Sequence, residues 1–260
     1  MLIPGLVSIT FRSLGPEEII QLASQARVQS IEWGGDVHVP AGKIDRAREV
    51  GRWTREAGLM VAAYGSYYRL GGGGNDASPF ERVLASAVAL GAPTIRVWSG
   101  GKDSSDCSPE ERRAIIDDAL RVAEMAARAG ITISLEYHGG TLTDTRASVR
   151  SLLEELAHPN IEFLWQPTNG EPVEACAERL FDVLARLRNV HVFHWWPTAN
   201  ERHPLVEGEA RWRTYIDIVR ETGRPVDFLL EFVVNDSPGQ FLADAATLRG
   251  WLEGQPTAQP

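Results

Sequence analysis

Short apolar runs alternate with longer amphipathic stretches from one end of the chain to the other. A short apolar run bounded by turn residues predicts a buried strand, and an amphipathic stretch of ten or more residues predicts a helix. The pattern predicts eight strands, at Gly5–Phe11, Ser30–Gly34, Leu59–Gly65, Thr94–Ser99, Ile131–His138, Ile161–Gln166, Asn189–Trp195 and Val226–Phe232. A helix is predicted after each strand, at Pro16–Arg27, Lys43–Ala57, Pro79–Leu90, Ser108–Ala129, Asp144–Ala157, Pro172–Leu187, Arg211–Thr222 and Pro238–Leu252.

These strand–helix units follow one another over residues 1–252 without a linker or a shift in composition. Strands joined by helices of this length form parallel sheets, because the crossover between parallel neighbours needs a helix. Eight units at this spacing predict a single (β/α)₈ TIM barrel rather than an open sheet. A dinucleotide-binding sheet would carry a Gly-x-Gly-x-x-Gly motif after its first strand, and Arg-Ser-Leu-Gly follows Phe11 instead.

Two short segments stand apart from the repeated units. Residues 253–260, which include the sequence GQPTAQP, are expected to form a disordered tail. The glycine run Gly71–Gly74 follows the third strand and is predicted to be a flexible loop on the catalytic face of the barrel.

Composition restricts the partners and the compartment. Apolar residues make up 43% of the chain and charged residues 23%, which is a globular balance, and the net charge of −9 disfavours nucleic acid as a partner. Cys107 and Cys176 are far apart and suggest reduced thiols. No secretory signal or membrane span is recognised, so we expect a cytoplasmic protein without a membrane partner. A homo-oligomer is left open.

Polar residues collect where the predicted strands end, which is the catalytic face of a barrel of this kind. Strand alternation turns Ser134, Glu136 and His138 towards the barrel interior. The same alternation places Asp227 and Glu231 on one face of the eighth strand. We therefore expect the carboxylates of Glu136 and Glu231 to converge across the mouth. With an imidazole from the seventh strand they are suitable ligands for one divalent ion, Mn²⁺, Zn²⁺ or Mg²⁺.

Several segments of the chain resemble the xylose isomerase-like TIM-barrel family of sugar isomerases and epimerases. The resemblance covers essentially the whole chain and keeps the strand order, in the segments IEWGGDVHVP (31–40), SLEYHGG (134–140), NIEFLWQPTN (160–169), RLRNVHVFHW (186–195), ERHPLVEGE (201–209) and LLEFV (229–233). It implies one divalent metal ion held at the ends of the last four strands by Glu136, Gln166, His191 and Glu231. It also implies that Glu136 and Glu231 are the catalytic acid/base pair.

The resemblance and the strand ends together suggest which side chains surround a substrate. His138 matches the Glu-x-His of the family, Asn169 falls where a substrate-binding His usually stands, and Arg202 and His203 fall where related proteins close on their substrate. The candidate substrate-binding residues are Glu32, Trp33, His38, Tyr64, Trp98, His138, Asn169, His194, Arg202 and His203. DNA-repair nucleases with this barrel carry extra metal-binding histidines where Tyr64 and Trp98 stand, which argues against that role.

The metal ligands depart from the family pattern at one position and are ambiguous at another. Gln166 replaces the Asp of the family, so the site loses one negative charge and metal affinity should fall. His194 stands where many relatives carry Asp, and it is an alternative to His191 as the ligand. The two histidines have opposite strand parity, so only one can face inward in a regular strand; we favour His191.

These features predict a metal-dependent isomerase or epimerase that acts on a small sugar, sugar phosphate or polyol. The reaction would begin with removal of a proton next to a carbonyl. One alternative is a metal-dependent dehydratase of a keto-inositol-like substrate, which begins with the same step. Another is a barrel that binds carbohydrate without turnover, which Gln166 makes credible. A purely structural role, with Glu136 and Glu231 paired to Arg96 or Arg202, is the remaining interpretation.

Overall fold

Eight parallel strands pair in chain order and close into a ring in the computed structural model, which describes residues 1–72 and 79–254. Leu2 of the first strand lies beside Val226 of the last, which completes the barrel. The strands are β1 Leu2–Val7, β2 Ser30–Gly34, β3 Met60–Arg69, β4 Thr94–Trp98, β5 Thr132–Glu136, β6 Ile161–Trp165, β7 Leu187–Val192 and β8 Val226–Leu230. The helices are α1 Pro16–Gln25, α2 Ile44–Glu56, α3 Phe80–Leu90, α4 Pro109–Arg128, α5 Arg146–Glu155, α6 Val173–Val183, α7 Glu209–Arg220 and α8 Pro238–Leu252. The prediction of a single (β/α)₈ TIM barrel is confirmed.

The local sequence determines where several helices begin. The Ser108 hydroxyl accepts a hydrogen bond from the backbone N–H of Glu111, the Glu111 carboxylate accepts one from the Ser108 N–H, and Pro109 occupies the first helical position of α4. Thr145 and Ser237 cap α5 and α8 with their hydroxyls in the same way. Such caps satisfy N–H groups that have no partner inside the helix. The helices therefore start close to the residues that the sequence predicts.

The first strand begins and ends earlier than the predicted Gly5–Phe11, and side chains replace the sheet hydrogen bonds after its end. β1 ends at Val7, and a short 3₁₀ turn follows it. The Ser8 hydroxyl accepts a hydrogen bond from the Gly34 N–H, and the Thr10 hydroxyl accepts one from the Phe232 N–H. The chain thus leaves the sheet while its residues stay buried. Apolar character alone does not distinguish this turn from a continuing strand.

Most of the hydrophobic core lies between the strands and the helices rather than inside the barrel. Ile133 and Leu135 of β5 point outward and belong to this large cluster. The apolar cluster described inside the barrel is small and consists of Val7, Ile9, Ala62 and Leu229, with Phe232 packed against it. The upper part of the barrel interior is therefore available to polar side chains without loss of the main core.

The two segments set apart in the sequence are only partly described. Glu253 and Gly254 form a turn after α8, and residues 255–260 of the predicted tail lie outside the described residues. Gly71 and Gly72 belong to a short turn after β3, while positions 73 and 74 of the predicted loop lie outside them. Within residues 1–72 and 79–254, no helix is both long and apolar enough to cross a bilayer.

Gly51 provides a test of how closely α2 and α3 pack. A Cβ at Gly51 would lie 2.1 Å from the Leu90 carbonyl oxygen, which is backbone and cannot easily move. We expect Gly51→Ala to lower the free energy of unfolding by about 1–3 kcal/mol, seen as a lower midpoint of thermal unfolding by circular dichroism. Gly250→Ala in α8 meets no atom within 4 Å and should stabilise the protein slightly, because Ala favours a helix over Gly. Equal midpoints for the two variants would contradict this packing.

Candidate metal centre

Glu136, His191 and Glu231 form a buried group that is suited to hold a metal ion. Glu136 ends β5, His191 lies near the end of β7, and Glu231 follows β8 directly. Each side chain offers one ligand atom, and the three atoms lie within 4.8 Å of one another. The structure therefore brings together three of the four metal ligands proposed from the sequence, at the face where barrel enzymes carry their chemistry.

The imidazole of His191 has a different environment on each ring nitrogen. Nε2 lies 3.2 Å from Glu32 Oε2, within hydrogen-bond distance. Nδ1 lies 3.4 Å from Glu231 Oε2 and 3.9 Å from Glu136 Oε1, and it is buried without a hydrogen bond within the described residues. A proton on Nε2 that is donated to Glu32 leaves the Nδ1 lone pair facing the two glutamates, which is the arrangement of a metal-binding histidine.

The carboxylates also determine the charge that His191 carries. Burial alone would lower the pKa of His191, but Glu231 and Glu32 outweigh burial and raise this pKa to about 10. A cation bound at Nδ1 therefore has to displace a proton, because only the neutral imidazole has a free lone pair.

Arg96 of β4 neutralises part of this acidic cluster. Its Nε donates to Glu32 Oε1 at 3.1 Å and its Nη1 to Glu136 Oε2 at 2.6 Å, and all three side chains are buried. Trp98 Nε1 donates to the same Glu136 oxygen. Burial by itself would raise the pKa of Glu136, but Arg96 and His191 lower it. Glu136 is thus held as an ionised carboxylate.

The charges and the unpaired atoms of the centre fit a divalent cation. Glu32, Glu136 and Glu231 together with Arg96 leave two negative charges when the imidazole is neutral. Buried charge of this size is stable only with a counter-charge. The Nδ1 of His191, which has no hydrogen-bond partner among the described residues, supplies a further ligand atom. A nitrogen and carboxylate donor set of this kind suits Mn²⁺ or Zn²⁺ better than Ca²⁺.

Gln166 lies just after β6, between the strands that carry Glu136 and His191. Its Nε2 donates to the Tyr137 carbonyl at 2.7 Å. Its Oε1 is buried and has no hydrogen-bond partner in residues 1–72 and 79–254. Because an amide oxygen is a competent ligand, the role of Gln166 as a fourth ligand stays a prediction.

His194 is not part of the cluster. It lies beyond the end of β7 and is half-buried, with its ring 5.5 Å from that of His203. His203 in turn lies 3.4 Å from Glu207, and Arg202 pairs with Asp236 at 2.7 Å. The structure therefore places His191, not His194, beside the two glutamates. Substrate contact by His194, Arg202 and His203 stays a prediction.

Four of the proposed substrate-binding residues, Glu32, Trp33, His38 and Tyr64, are buried in the structure, and contact of these residues with a substrate stays a prediction. Trp33 and Tyr64 point outward, where Trp33 Nε1 donates to Thr54 of α2 and the Tyr64 hydroxyl donates to a loop carbonyl. Glu32 lies fully buried behind His191, and His38 is buried with its Nδ1 2.9 Å from the Ser8 hydroxyl.

Aromatic and polar side chains form the accessible mouth. The rings of Trp98 and His138 stack with centroids 5.0 Å apart, and His138 is exposed. A cavity of about 330 Å³ next to them is lined by His138, Gln166, Asn169 and Trp195, among others. A larger cleft of about 450 Å³ opens around Met1 and the C-terminal end of α8, at the other end of the barrel. Chemistry in such barrels lies at the carboxyl ends of the strands, so the smaller cavity is the candidate substrate site.

Two cations at the site were not assigned a role from the sequence. From the sequence, Arg96 is expected only as a structural partner of the glutamates, and no pattern singles out Arg69. Strand parity turns Arg96 inward together with Trp98, which was the available signal. Arg69 falls beyond Gly65, the predicted end of the third strand, whereas β3 continues to Arg69 in the structure.

Comparison with known proteins agrees with the barrel fold. The family model described as "Xylose isomerase-like TIM barrel" matches residues 20–252. The chain belongs to this family. A curated relative, 3-dehydroshikimate dehydratase of Bacillus anthracis, is 29% identical over 147 residues, which is 49% of this chain and 52% of the relative. The match thus spans about half the length of that relative.

Solved structures of a probable dehydratase and of an epimerase have the same barrel fold as this chain. The probable 3-DHS dehydratase AsbF of Bacillus anthracis superposes with a TM-score of 0.77 at 21% identity, covering 96% of this chain and 99% of that one. The 3-keto-D-glucoside 4-epimerase YcjR of E. coli has a TM-score of 0.71 at 17% identity, covering 98% and 100%. At these identities the likeness shows the shared fold, and the reaction has to be argued from the site.

Removal of Glu231 tests the metal site directly. Glu231→Ala deletes one of three clustered ligand atoms, so we expect bound metal to fall to a trace after loading with Mn²⁺ and dialysis. Elemental analysis by mass spectrometry gives the metal-to-protein ratio. Glu162→Ala is a matched control, since Glu162 accepts a hydrogen bond from Thr132 and is outside the cluster. Equal metal content in the two variants would contradict the assignment.

Glu32 is expected to act on the metal through His191. Glu32→Gln keeps the shape of the side chain but removes the charge that orients and polarises the imidazole. We expect the affinity for Mn²⁺ to fall about 10–100-fold, the usual effect of losing such a partner, measured by isothermal titration calorimetry. Asp227→Asn, which changes another carboxylate inside the barrel that is bonded to Ser30, should leave the affinity within a few-fold. A Glu32→Gln variant that is folded and binds Mn²⁺ normally would refute this role.

Proposed function

We propose that the protein is a divalent-metal-dependent dehydratase that removes water from a small cyclic hydroxy ketone with a carboxylate, of the 3-dehydroshikimate type. The observation that carries the proposal is the ion pair between Arg96 and Glu136. This pair makes Glu136 a good metal ligand and a poor base. The relation to a 3-dehydroshikimate dehydratase supports the same reaction class.

The two reaction classes need different numbers of acid/base groups. An epimerase removes a proton from one face of a carbon and returns one to the other face, so it needs two groups that exchange protons. Glu136 accepts hydrogen bonds from Arg96 and Trp98 on one oxygen, and its pKa is lowered. A base with a low pKa is inefficient near neutral pH. Dehydration needs only one such group if that group returns its proton to the leaving hydroxyl.

His138 is placed to be this group. Its Nδ1 is within hydrogen-bond distance of the Gly139 carbonyl, which can only accept, so Nδ1 carries the proton of the neutral ring. Nε2 then has a free lone pair, and the side chain is exposed at the mouth. The stack on Trp98, which contacts Glu136, holds the imidazole beside the metal centre.

The proposed reaction is balanced with this single base. His138 removes a proton from the carbon next to the carbonyl, and the electron pair of the C–H bond forms a C=C bond as the adjacent C–OH bond breaks. The hydroxyl leaves with the proton from His138 as water. A divalent ion held by Glu136, His191 and Glu231 would stabilise the negative charge that develops on the carbonyl oxygen. The dienone tautomerises to the aromatic dihydroxybenzoate.

Isomerisation or epimerisation of a sugar is the second candidate function. Glu231 has no ion pair with an arginine among the described residues, so it remains available as a second acid/base group beside His138 in the proposed chemistry. The structural likeness to an epimerase from E. coli is compatible with this alternative. Dehydration and epimerisation therefore differ in whether Glu231 takes part in proton transfer. The two reactions give different products, which distinguishes them.

Product analysis tests the proposal. We expect Mn²⁺-loaded protein to convert 3-dehydroshikimate into dihydroxybenzoate, followed by the ultraviolet absorbance of the aromatic ring. His138→Gln should lower kcat about 10²–10⁴-fold, the usual contribution of a general base, without loss of bound Mn²⁺. His158→Gln changes a histidine paired with Glu124 and should leave kcat unchanged. Deuterium exchange from D₂O into sugars, without formation of an aromatic product, would establish the epimerase instead.

A further inference from the structure

Arg69, at the end of β3, is a half-buried cation at the barrel mouth. Its guanidinium carbon lies 4.0 Å from the centroid of the Trp98 ring, and its Nη1 donates to the Gly100 carbonyl at 3.0 Å. No carboxylate pairs with it in the part of the chain that the structure describes. Burial lowers the pKa of Arg69, and Glu136 opposes this effect only through space. The cost of its partial burial is therefore not offset by an ion pair.

Other arginines near this face differ in this respect. Arg12 pairs with Asp36 at 3.0 Å, and Arg202 pairs with Asp236 at 2.7 Å. Their charges are neutralised within the protein. Arg69 keeps donor groups that are held in place by Trp98 and Gly100 but are not saturated by them. A guanidinium fixed in this way is preorganised to accept a carboxylate through two parallel hydrogen bonds.

We propose that Arg69 is the residue that selects substrates with a carboxylate, by binding that group beside the metal centre. The assignment rests on the proposed function, since it assumes that the substrate occupies the mouth at Glu136 and His138. Trp98 connects the two regions, because its ring lies under Arg69 and its Nε1 donates to Glu136. A ring compound could bind the metal through its oxygens and Arg69 through its carboxylate.

The proposal also predicts that a neutral sugar is a poor substrate. A bound sugar would cover Arg69 without offering a counter-charge, and a charge that loses water without gaining a partner raises the free energy of the complex. A carboxylate removes this cost and adds charge-assisted hydrogen bonds. We therefore expect the protein to bind a compound with a carboxylate more tightly than the same compound without it.

A binding experiment that needs no turnover tests Arg69. The probes are 3,4-dihydroxybenzoate and catechol, which share the metal-binding oxygens and differ only in the carboxylate. We expect Mn²⁺-loaded wild-type protein to bind the acid at least tenfold more tightly than catechol by calorimetry. Arg69→Gln should reduce that preference to within about twofold while catechol affinity and Mn²⁺ content stay unchanged, and Arg69→Lys should restore part of it.

Arg211 provides the matched control. Its guanidinium lies 4.0 Å from the ring centroid of Trp196, the same distance as in the Arg69 pair, but it does not contact the tryptophan that is bonded to Glu136. Arg211→Gln should keep the preference for the acid. Equal binding of the two probes by wild type, or loss of the preference in Arg211→Gln instead of Arg69→Gln, would overturn the assignment.

The outcome for Arg69 is distinguishable from the outcome for the dehydratase. A preference for the acid that depends on Arg69, in a protein that does not dehydrate 3-dehydroshikimate, would support the carboxylate site and reject the proposed reaction. Dehydration by a protein whose Arg69→Gln variant binds both probes as wild type does would support the reaction and overturn the role of Arg69. Retained Mn²⁺ and catechol binding show that each variant is folded.

Discussion

The buried ion pairs of Arg96 with Glu32 and Glu136 are the interaction on which the site depends. Three carboxylates cannot share a water-poor interior as anions unless cations lie among them. Arg96 supplies one fixed positive charge, and it therefore keeps Glu136 ionised while occupying one of its oxygens. The same contact favours metal ligation by Glu136 over proton transfer by it. One guanidinium thus sets both the charge of the centre and the division of roles within it.

The architecture of the barrel allows this cluster to exist. The main hydrophobic core lies between the strands and the helices. The barrel interior between the small apolar cluster around Val7 and Leu229 and the carboxyl ends of the strands therefore does not have to be apolar. Adjacent parallel strands end at one face, so residues from β2, β4, β5, β7 and β8 meet there although they are far apart in the chain. The outward-facing side chains of the strands pack in the hydrophobic core, and the inward-facing side chains of the same strands form the polar cluster.

Strand alternation was sufficient to predict the fold and the convergence of Glu136 with Glu231, because both follow from the period of two. It also turns Trp33, which neighbours the inward-facing Glu32, towards the helices. The contact between Glu32 and His191 could not be predicted from the sequence. These residues are 159 positions apart, and their contact depends on the stagger of strands around the ring. The orientation of the Gln166 amide likewise depends on the Tyr137 carbonyl, a backbone atom without a sequence signature.

The neutral side chain at Gln166 has a consequence for catalysis through charge balance. With Gln166 neutral, one divalent cation would balance the two negative charges left by Glu32, Glu136, Glu231 and Arg96. An Asp at this position, as the resemblance implies for the family, would leave the loaded centre with an excess negative charge. That charge would repel the negative charge that develops on a substrate carbonyl oxygen when a proton leaves. Compared with an Asp at this position, we therefore expect Gln166 to weaken metal binding and to strengthen the electrophilic character of a bound metal, and we propose that Arg69 adds a second positive charge for the carboxylate.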